Sequence, residues 1–182
     1  MREILLLEFE KLKDEQIARI RYRDGLFYVT LAVCGGVFSI AAASPGTTFL
    51  LLFLPIVVFI LGVSYISNDE KISTIGSYFR FELAERLARI EGVTTPEVFS
   101  WETAYRADPH RGGRKFLQLL ASLLLFSVSG LTAIAFYFVS TRQAAVWSII
   151  LAICDLWFTL MITGQILRYS DLPGFSAKRN EA

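Results

Sequence analysis

The sequence predicts an all-α integral membrane protein, with four transmembrane helices arranged as two hairpins and a cytosolic layer of amphipathic helices. Three observations carry that prediction. Residues 25–68 contain no Asp, Glu, Lys or Arg; residues 116–141 contain none either, and residues 145–167 contain one, Asp155. A helix needs about 20 apolar residues to cross a hydrocarbon core about 30 Å thick, and residues 25–68 hold two such lengths around the turn signal Ser44-Pro45-Gly46. In lipid a backbone must satisfy its own hydrogen bonds, so two antiparallel helices are the economical solution for that stretch. Hydrophobic residues make up 54% of the 182, above the usual share of about 45–50%.

The pattern divides the chain into residues 1–24, a cytosolic amphipathic helix; 25–68, the first transmembrane hairpin; 69–115, a cytosolic helical section; 116–168, the second hairpin; and 169–182, a cytosolic tail. In 1–24, Leu5, Phe9, Leu12 and Gln16 share one helical face that Ile20 continues, and Glu15 and Arg19 stand four apart in the favourable order. This helix reads as continuous with the first span and as packing on the protein's own cytosolic part, with a place on the bilayer surface as the alternative. A charged segment precedes the first apolar run and no small-residue cleavage site follows it, so no cleavable signal peptide is expected.

In the first span Gly35, Ser39 and Ala43 recur every four residues. Small residues at that spacing let helix backbones approach closely in lipid, so they mark a contact face. Pro55 is expected to kink the second span, because proline lacks an N–H and clashes with the preceding turn. In 69–115, Ile75, Phe79, Leu83, Leu87 and Ile90 form an apolar stripe, with Glu82–Arg86 and Glu85–Arg89 pairing outside it. Gly92 closes this helix, and Thr95-Pro96-Glu97 starts another as cap, first-position proline and first-turn acid. That second helix carries Phe99, Trp101 and Tyr105 and stops near Asp108-Pro109. Residues 110–115, HRGGRK, read as a flexible basic collar, with Arg111, Arg114 and Lys115 either touching anionic lipid headgroups or serving as an ordinary topology signal. The third span follows, with Gln118, Ser122 and Ser129 toward one face, and the fourth runs to Leu167.

Lysine and arginine counts set the orientation. Six fall in residues 1–24 and eight in 69–115, three follow the last span, one lies in the link at Arg142, and the turn at 44–48 has none. The positive-inside rule then puts both termini and the central section on the cytoplasmic side.

Composition also excludes functions. Eighteen basic against 17 acidic residues leave a net charge of +1, which advertises no nucleic-acid partner. Cys34 and Cys154 lie inside apolar runs without CxxC spacing and read as small core residues rather than a disulfide or metal pair. His110 is the one histidine and has no ligand spacing around it, so neither a metal site nor bis-histidine haem ligation is expected. No glycine loop has phosphate-binding spacing, no serine–histidine couple is positioned, and Asp155 has no second intramembrane acid to work with. The expectation is a non-enzyme without cofactor.

The segments EQIARIRYRDGLFYVTLAVCGG and GVSYISNDEKISTIGSYFRFELA, with WETAYRADPHRGGRK, resemble stretches of uncharacterised small bacterial integral membrane proteins over about the first half of the chain. In architecture the chain is also similar to the multi-span membrane components of bacterial antiphage defence systems. That resemblance implies an oligomeric effector or sensor partnering a cytosolic protein. The expected function is therefore a homo-oligomeric membrane component, either a pore-forming effector or a sensor or anchor, with membrane lipids and a cytosolic protein as partners. Two alternatives stand beside it: a small ion channel or transporter, and an assembly scaffold.

The channel alternative rests on Asp155. It lies about 15 Å from either end of its span at 1.5 Å rise per residue, too deep for a short side chain to reach the interface. A charged Asp there costs at least about 2.5–3.5 kcal/mol, which favours the neutral acid or a polar setting. Ser148, Ala152, Thr159 and Thr163 share its helix face, so Asp155, Thr159 and Ser148 form the candidate intramembrane polar site. It serves either as packing glue between helices or as a pore-lining or proton-sensing carboxylate.

Overall fold

The structure is a computed structural model and describes residues 2–98, 110–141 and 145–169. Among these every regular element is helical. Helix α1 (Arg2–Ala43) runs without a break for 42 residues. A 3-10 stretch (Pro45–Leu52) follows, then α2 (Leu54–Tyr78), a π-turn (Phe79–Leu83) and α3 (Ala84–Glu91). After α4 (Thr95–Val98) come α5 (Arg111–Leu123), a second π-turn (Leu124–Val128), α6 (Ser129–Ser140) and α7 (Val146–Tyr169). Four helices are long and apolar enough to cross a membrane: Arg2–Ala43, Gly46–Glu91, Gly112–Ser140 and Val146–Tyr169. The expected roles of Phe99, Trp101 and Tyr105, of Asp108-Pro109, of Arg142 and of residues 170–182 lie outside the described residues.

Helix α1 and the α2–α3 column lie antiparallel, and their partners can be read along the chain. Phe27 packs on Tyr65 with ring centroids 6.4 Å apart. The Arg23 guanidinium donates to Asp69 at 2.7 Å, Arg19 reaches Asn68 at 3.4 Å, and Gln16 Nε2 donates to the Ile72 carbonyl at 3.3 Å. Further along, Tyr78 Oη donates to Glu8 at 2.6 Å and Arg2 pairs with Glu91 at 2.5 Å. The Arg23–Asp69 pair is half-buried and charge-assisted, worth about 1.5–3 kcal/mol as a hydrogen bond to a charged group. The i,i+4 pairs expected from sequence, Glu15–Arg19, Glu82–Arg86 and Glu85–Arg89, all form on the surface. Pairs of that kind contribute only about 0.3–0.5 kcal/mol each.

Leu5, Phe79, Leu83 and Leu87 make a small core at the polar end of this column, with Phe9, Leu12, Ile75, Tyr78 and Val98 against it. The expected stripe is therefore the buried one, except that Ile90 is exposed. The stripe also explains the first π-turn. Ile75, Phe79, Leu83 and Leu87 stand four apart, and each four-residue step on an α-helix overshoots a full turn by about 40°. Three steps would carry Leu87 roughly 120° off the seam. The wider turn over Phe79–Leu83 admits an extra residue, takes up most of that drift, and keeps all four on α1.

Gly92 ends α3 with φ 70° in the left-handed region. Its own N–H and that of Val93 both reach the Ala88 carbonyl, the latter at 3.2 Å, which satisfies acceptors the helix end leaves open. The next helix begins one residue earlier than the sequence indicates. Thr94, not Thr95, is the cap: its carbonyl accepts from the Glu97 N–H at 3.0 Å, and its N–H donates to Glu97 Oε2 at 2.8 Å. The second bond is the Glu97 half of a capping box, and the Thr94 backbone and side-chain hydrogen bonds hold the Glu97 carboxyl below the usual range.

Pro55 is not in a helix interior but where the 3-10 stretch passes into α2, within the Gly46–Glu91 span. It stands in the first turn of α2, where a missing N–H costs nothing, and the preceding eight residues wind as a 3-10 helix. The basic collar is likewise not a flexible loop, since α5 begins at Arg111. Arg114 is exposed there and Lys115 half-buried.

A buried acid as the candidate functional site

The main core joins all four apolar helices, with Phe126, Ile162, Val58, Leu54, Leu52 and Ala133 among its most buried members. Glycines set how closely the helices meet. A Cβ on Gly62 of α2 would lie 3.0 Å from Ile162 of α7 and 3.1 Å from Phe126 of the second π-turn. A Cβ on Gly130 of α6 would lie 3.1 Å from Thr159 Oγ1 and 3.7 Å from Pro55. So α7 is clasped between α2 and α6, and there its polar residues are placed.

The buried stripe of α7 is Ser148, Ala152, Asp155, Thr159, Ile162 and Ile166. All three predicted site residues lie on it, as their helical spacing requires. Ser148 and Asp155 are 0% exposed and Thr159 is 4%. The two hydroxyls satisfy themselves locally: Ser148 Oγ donates to the Ala145 carbonyl at 2.7 Å, and Thr159 Oγ1 donates to the Asp155 carbonyl at 2.8 Å. Such back-bonding lets a polar residue stay inside an apolar bundle. One turn on, Thr163 donates to the Thr159 carbonyl at 2.6 Å and meets Ser127 Oγ of the second π-turn at 2.8 Å. The side-chain carboxylate of Asp155 stands apart: neither oxygen has a hydrogen-bond partner among the described residues. An unsatisfied buried polar group costs about 1–3 kcal/mol, and more when charged.

Asp155, Thr159 and Ser148 thus share one buried face, but Thr159 and Ser148 do not bond the carboxylate. Sequence reasoning missed Ser127 and the close-approach glycines Gly62 and Gly130. Ser127 falls among three consecutive buried residues, Leu125 to Ser127, which no regular helical period marks. A weak signal existed in the four-residue spacing of Ser122, Phe126 and Gly130, the same spacing that accompanies the first π-turn.

The face Gly35, Ser39 and Ala43 looks away from the bundle. All three are exposed, a Cβ on Gly35 or Gly36 would meet nothing within 4 Å, and Ser39 Oγ donates to its own helix at Gly35 O, 2.7 Å away. Intrachain packing makes no use of it. Cys34 is buried as expected, whereas Cys154 points outward, and both are free thiols. His110 is exposed. Among the described residues no three His, Cys, Asp or Glu side chains gather as metal ligands would.

No protein-family model, curated protein or solved structure that was compared with the chain matches it.

Proposed function

We propose that this chain is a non-enzymatic, oligomeric protein of a bacterial inner membrane, a sensor or anchor whose cytosolic stalk engages a cytosolic protein. In this reading the apolar helices cross the bilayer as two hairpins, with both termini inside. The observation that carries it is the continuity of α1. Forty-two helical residues extend about 63 Å, twice the roughly 30 Å hydrocarbon core. About half of α1 therefore projects, and its projecting half is pinned to the α2–α3 column by the small core and by Arg23–Asp69. A displacement of the first hairpin is transmitted along two packed helices to the stalk tip.

Other features support the membrane setting. The outward faces of the apolar helices carry Val29, Leu31, Ile60, Ile153, Trp157 and Leu160, all exposed, more apolar surface than a soluble monomer tolerates. Arg111, Arg114 and Lys115 open α5, where the helix dipole disfavours cations. Anionic headgroups at that level offset the cost, at about 1 kcal/mol per basic residue. The uncovered face Gly35-Ser39-Ala43 suits close contact with a second copy in lipid, in keeping with a homo-oligomer. Architectural resemblance to antiphage membrane components adds a context in which such proteins answer to a cytosolic partner.

A pore between copies fits less well, because Asp155 faces the interior of its own bundle and no acid lines the outer faces of the apolar helices. The same burial favours a second reading, a proton or ion conduit through the single bundle. A photocrosslinking residue in place of Phe81, which is 67% exposed on the stalk, separates the two. In cells it is expected to give one discrete adduct with a cytosolic protein, and the same residue in place of Val139, 86% exposed at the opposite end of the bundle, none. Absence of that adduct, with proton flux through purified protein in liposomes, would replace the sensor by the conduit.

A further inference from the structure

Asp155 is fully buried, and neither carboxylate oxygen meets a hydrogen-bond partner among the described residues. A buried carboxylate survives ionised only if a cation or several donors compensate it. Among the described residues the surroundings supply neither. Helix α7 packs against α2, the 3-10 stretch, the second π-turn, α6 and α5. Between Gly46 and Tyr65, and from residue 116 to 141, these elements carry no Asp, Glu, Lys, Arg or His. The titratable groups they bring to the apolar section are Tyr65 and Tyr137, with Cys34 and Tyr28 on α1, none of them a cation.

Among the described residues every cation is remote: Arg168, on α7 itself, stands thirteen residues from Asp155, about 20 Å along the axis. Lys115 lies twelve residues before Ser127, which meets Thr163, itself eight residues past Asp155; at 1.5 Å rise per residue the separation along the axis is about 30 Å. Arg114 is farther still. On α2, Pro55 adjoins Thr159 through Gly130, and Asp69, Glu70 and Lys71 stand fourteen or more residues beyond it, about 20 Å away. The neighbouring hydroxyls of Ser148 and Thr159 already spend their protons on backbone carbonyls. What the site accommodates is one small monovalent cation that needs no further ligands, a proton.

We propose that Asp155 is a proton-binding site inside the bundle, occupied near neutral pH, and that its occupancy holds α7 in the clasp of α2 and α6. Loss of the proton leaves a bare charge one turn from the close Gly130–Thr159 contact and drives α7 to turn the carboxylate toward water. The packed state binds the proton and the opened state releases it. Stability of the packed state is therefore full on the acid side and falls as pH rises through the titration of Asp155. Within the sensor reading this names the input, since α2, which clasps α7, continues into the stalk.

Infrared difference spectra of the parent protein against Asp155→Asn in liposomes test the site. Near neutral pH the parent is expected to show one C=O stretch of a protonated carboxylic acid that Asp155→Asn lacks. The band should give way to a carboxylate band on alkaline titration, and over that range the thermal midpoint of the parent should fall while that of Asp155→Asn stays level. A carboxylate band at neutral pH in place of the acid band would overturn the proposal, as would a midpoint that falls equally in both proteins. Should Asp155→Asn fail to fold, carbon-13 labelling of aspartate in the parent identifies the same band by its isotope shift, and its absence is equally decisive. An ionised Asp155 would leave the sensor reading standing, because the stalk crosslink is measured independently.

Discussion

Gly62→Leu is expected to abolish the folded bundle, whereas Gly35→Leu, the same change on the neighbouring helix, leaves it intact. The first Cβ atom at Gly62 already falls at 3.0 Å from Ile162 and 3.1 Å from Phe126. Both neighbours are 1% exposed and have no room to retreat. Overpacking of a filled core costs about 1–3 kcal/mol for extra methylenes where side chains can adjust, and here an entire isobutyl group must enter between three elements. At Gly35 nothing lies within 4 Å of the added Cβ, and leucine is the better helix former by about 0.8–1.0 kcal/mol. Fluorescence-detected gel filtration in mild detergent reads both: Gly62→Leu aggregated or absent, Gly35→Leu folded and shifted from oligomer to monomer. A folded Gly62→Leu of parental thermal stability would refute the close contact. An unshifted Gly35→Leu would show that copies associate by some other face.

Phe79→Ala carries the second large effect. Phe79 is 2% exposed, its ring centroid lies 5.0 Å from that of Phe9, and the Lys13 ammonium sits 5.6 Å above it. Truncating a buried phenylalanine costs about 3–5 kcal/mol. Among the described residues the core around it has three other buried members, Leu5, Leu83 and Leu87, so little remains to hold the stalk closed. Hydrogen exchange is expected to rise by several orders of magnitude in the first half of α1 and in α3, with the apolar helices unchanged. If protection in the stalk were kept, the stalk would not be the two-helix unit described. If protection were lost throughout, the two cores would be one cooperative body.

The four apolar helices were legible because runs free of charge are the strongest signal a sequence carries. The stalk contact was legible as well: Leu5, Phe9 and Leu12 on one side and Phe79, Leu83 and Leu87 on the other are spaced for burial. What period analysis missed was the winding. The four-residue steps of Ile75, Phe79, Leu83 and Leu87 contain the π-turn, but they read as an ordinary stripe unless the angular drift is summed. Pro55 was expected mid-span because the apolar run starts before it; the 3-10 stretch ahead of it moves it to a helix start, where proline is tolerated. Small residues misled in a definite way. Gly35, Ser39 and Ala43 repeat at four and attract attention, while the tight internal contacts fall on Gly62 and Gly130, which carry no repeat. Spacing along one helix reports a face, and only the partner helix decides whether that face is filled. Asp155 was visible as the one charge in its run, but that its oxygens lack partners among the described residues depends on the elements that pack against α7.

The central claim is that α1 and α2 pass from a lipid-embedded section into a stalk on the cytoplasmic side, and accessibility of single cysteines tests it most directly. In a background with Cys34→Ala and Cys154→Ala, cysteine is placed at Ser44, exposed at one end of α1, or at Glu85, exposed on α3 at the other. With a membrane-impermeant maleimide applied to intact spheroplasts, the account predicts labelling at Ser44 alone, and labelling at Glu85 only after permeabilisation. Labelling of both positions in intact spheroplasts, or of Glu85 alone, would contradict it.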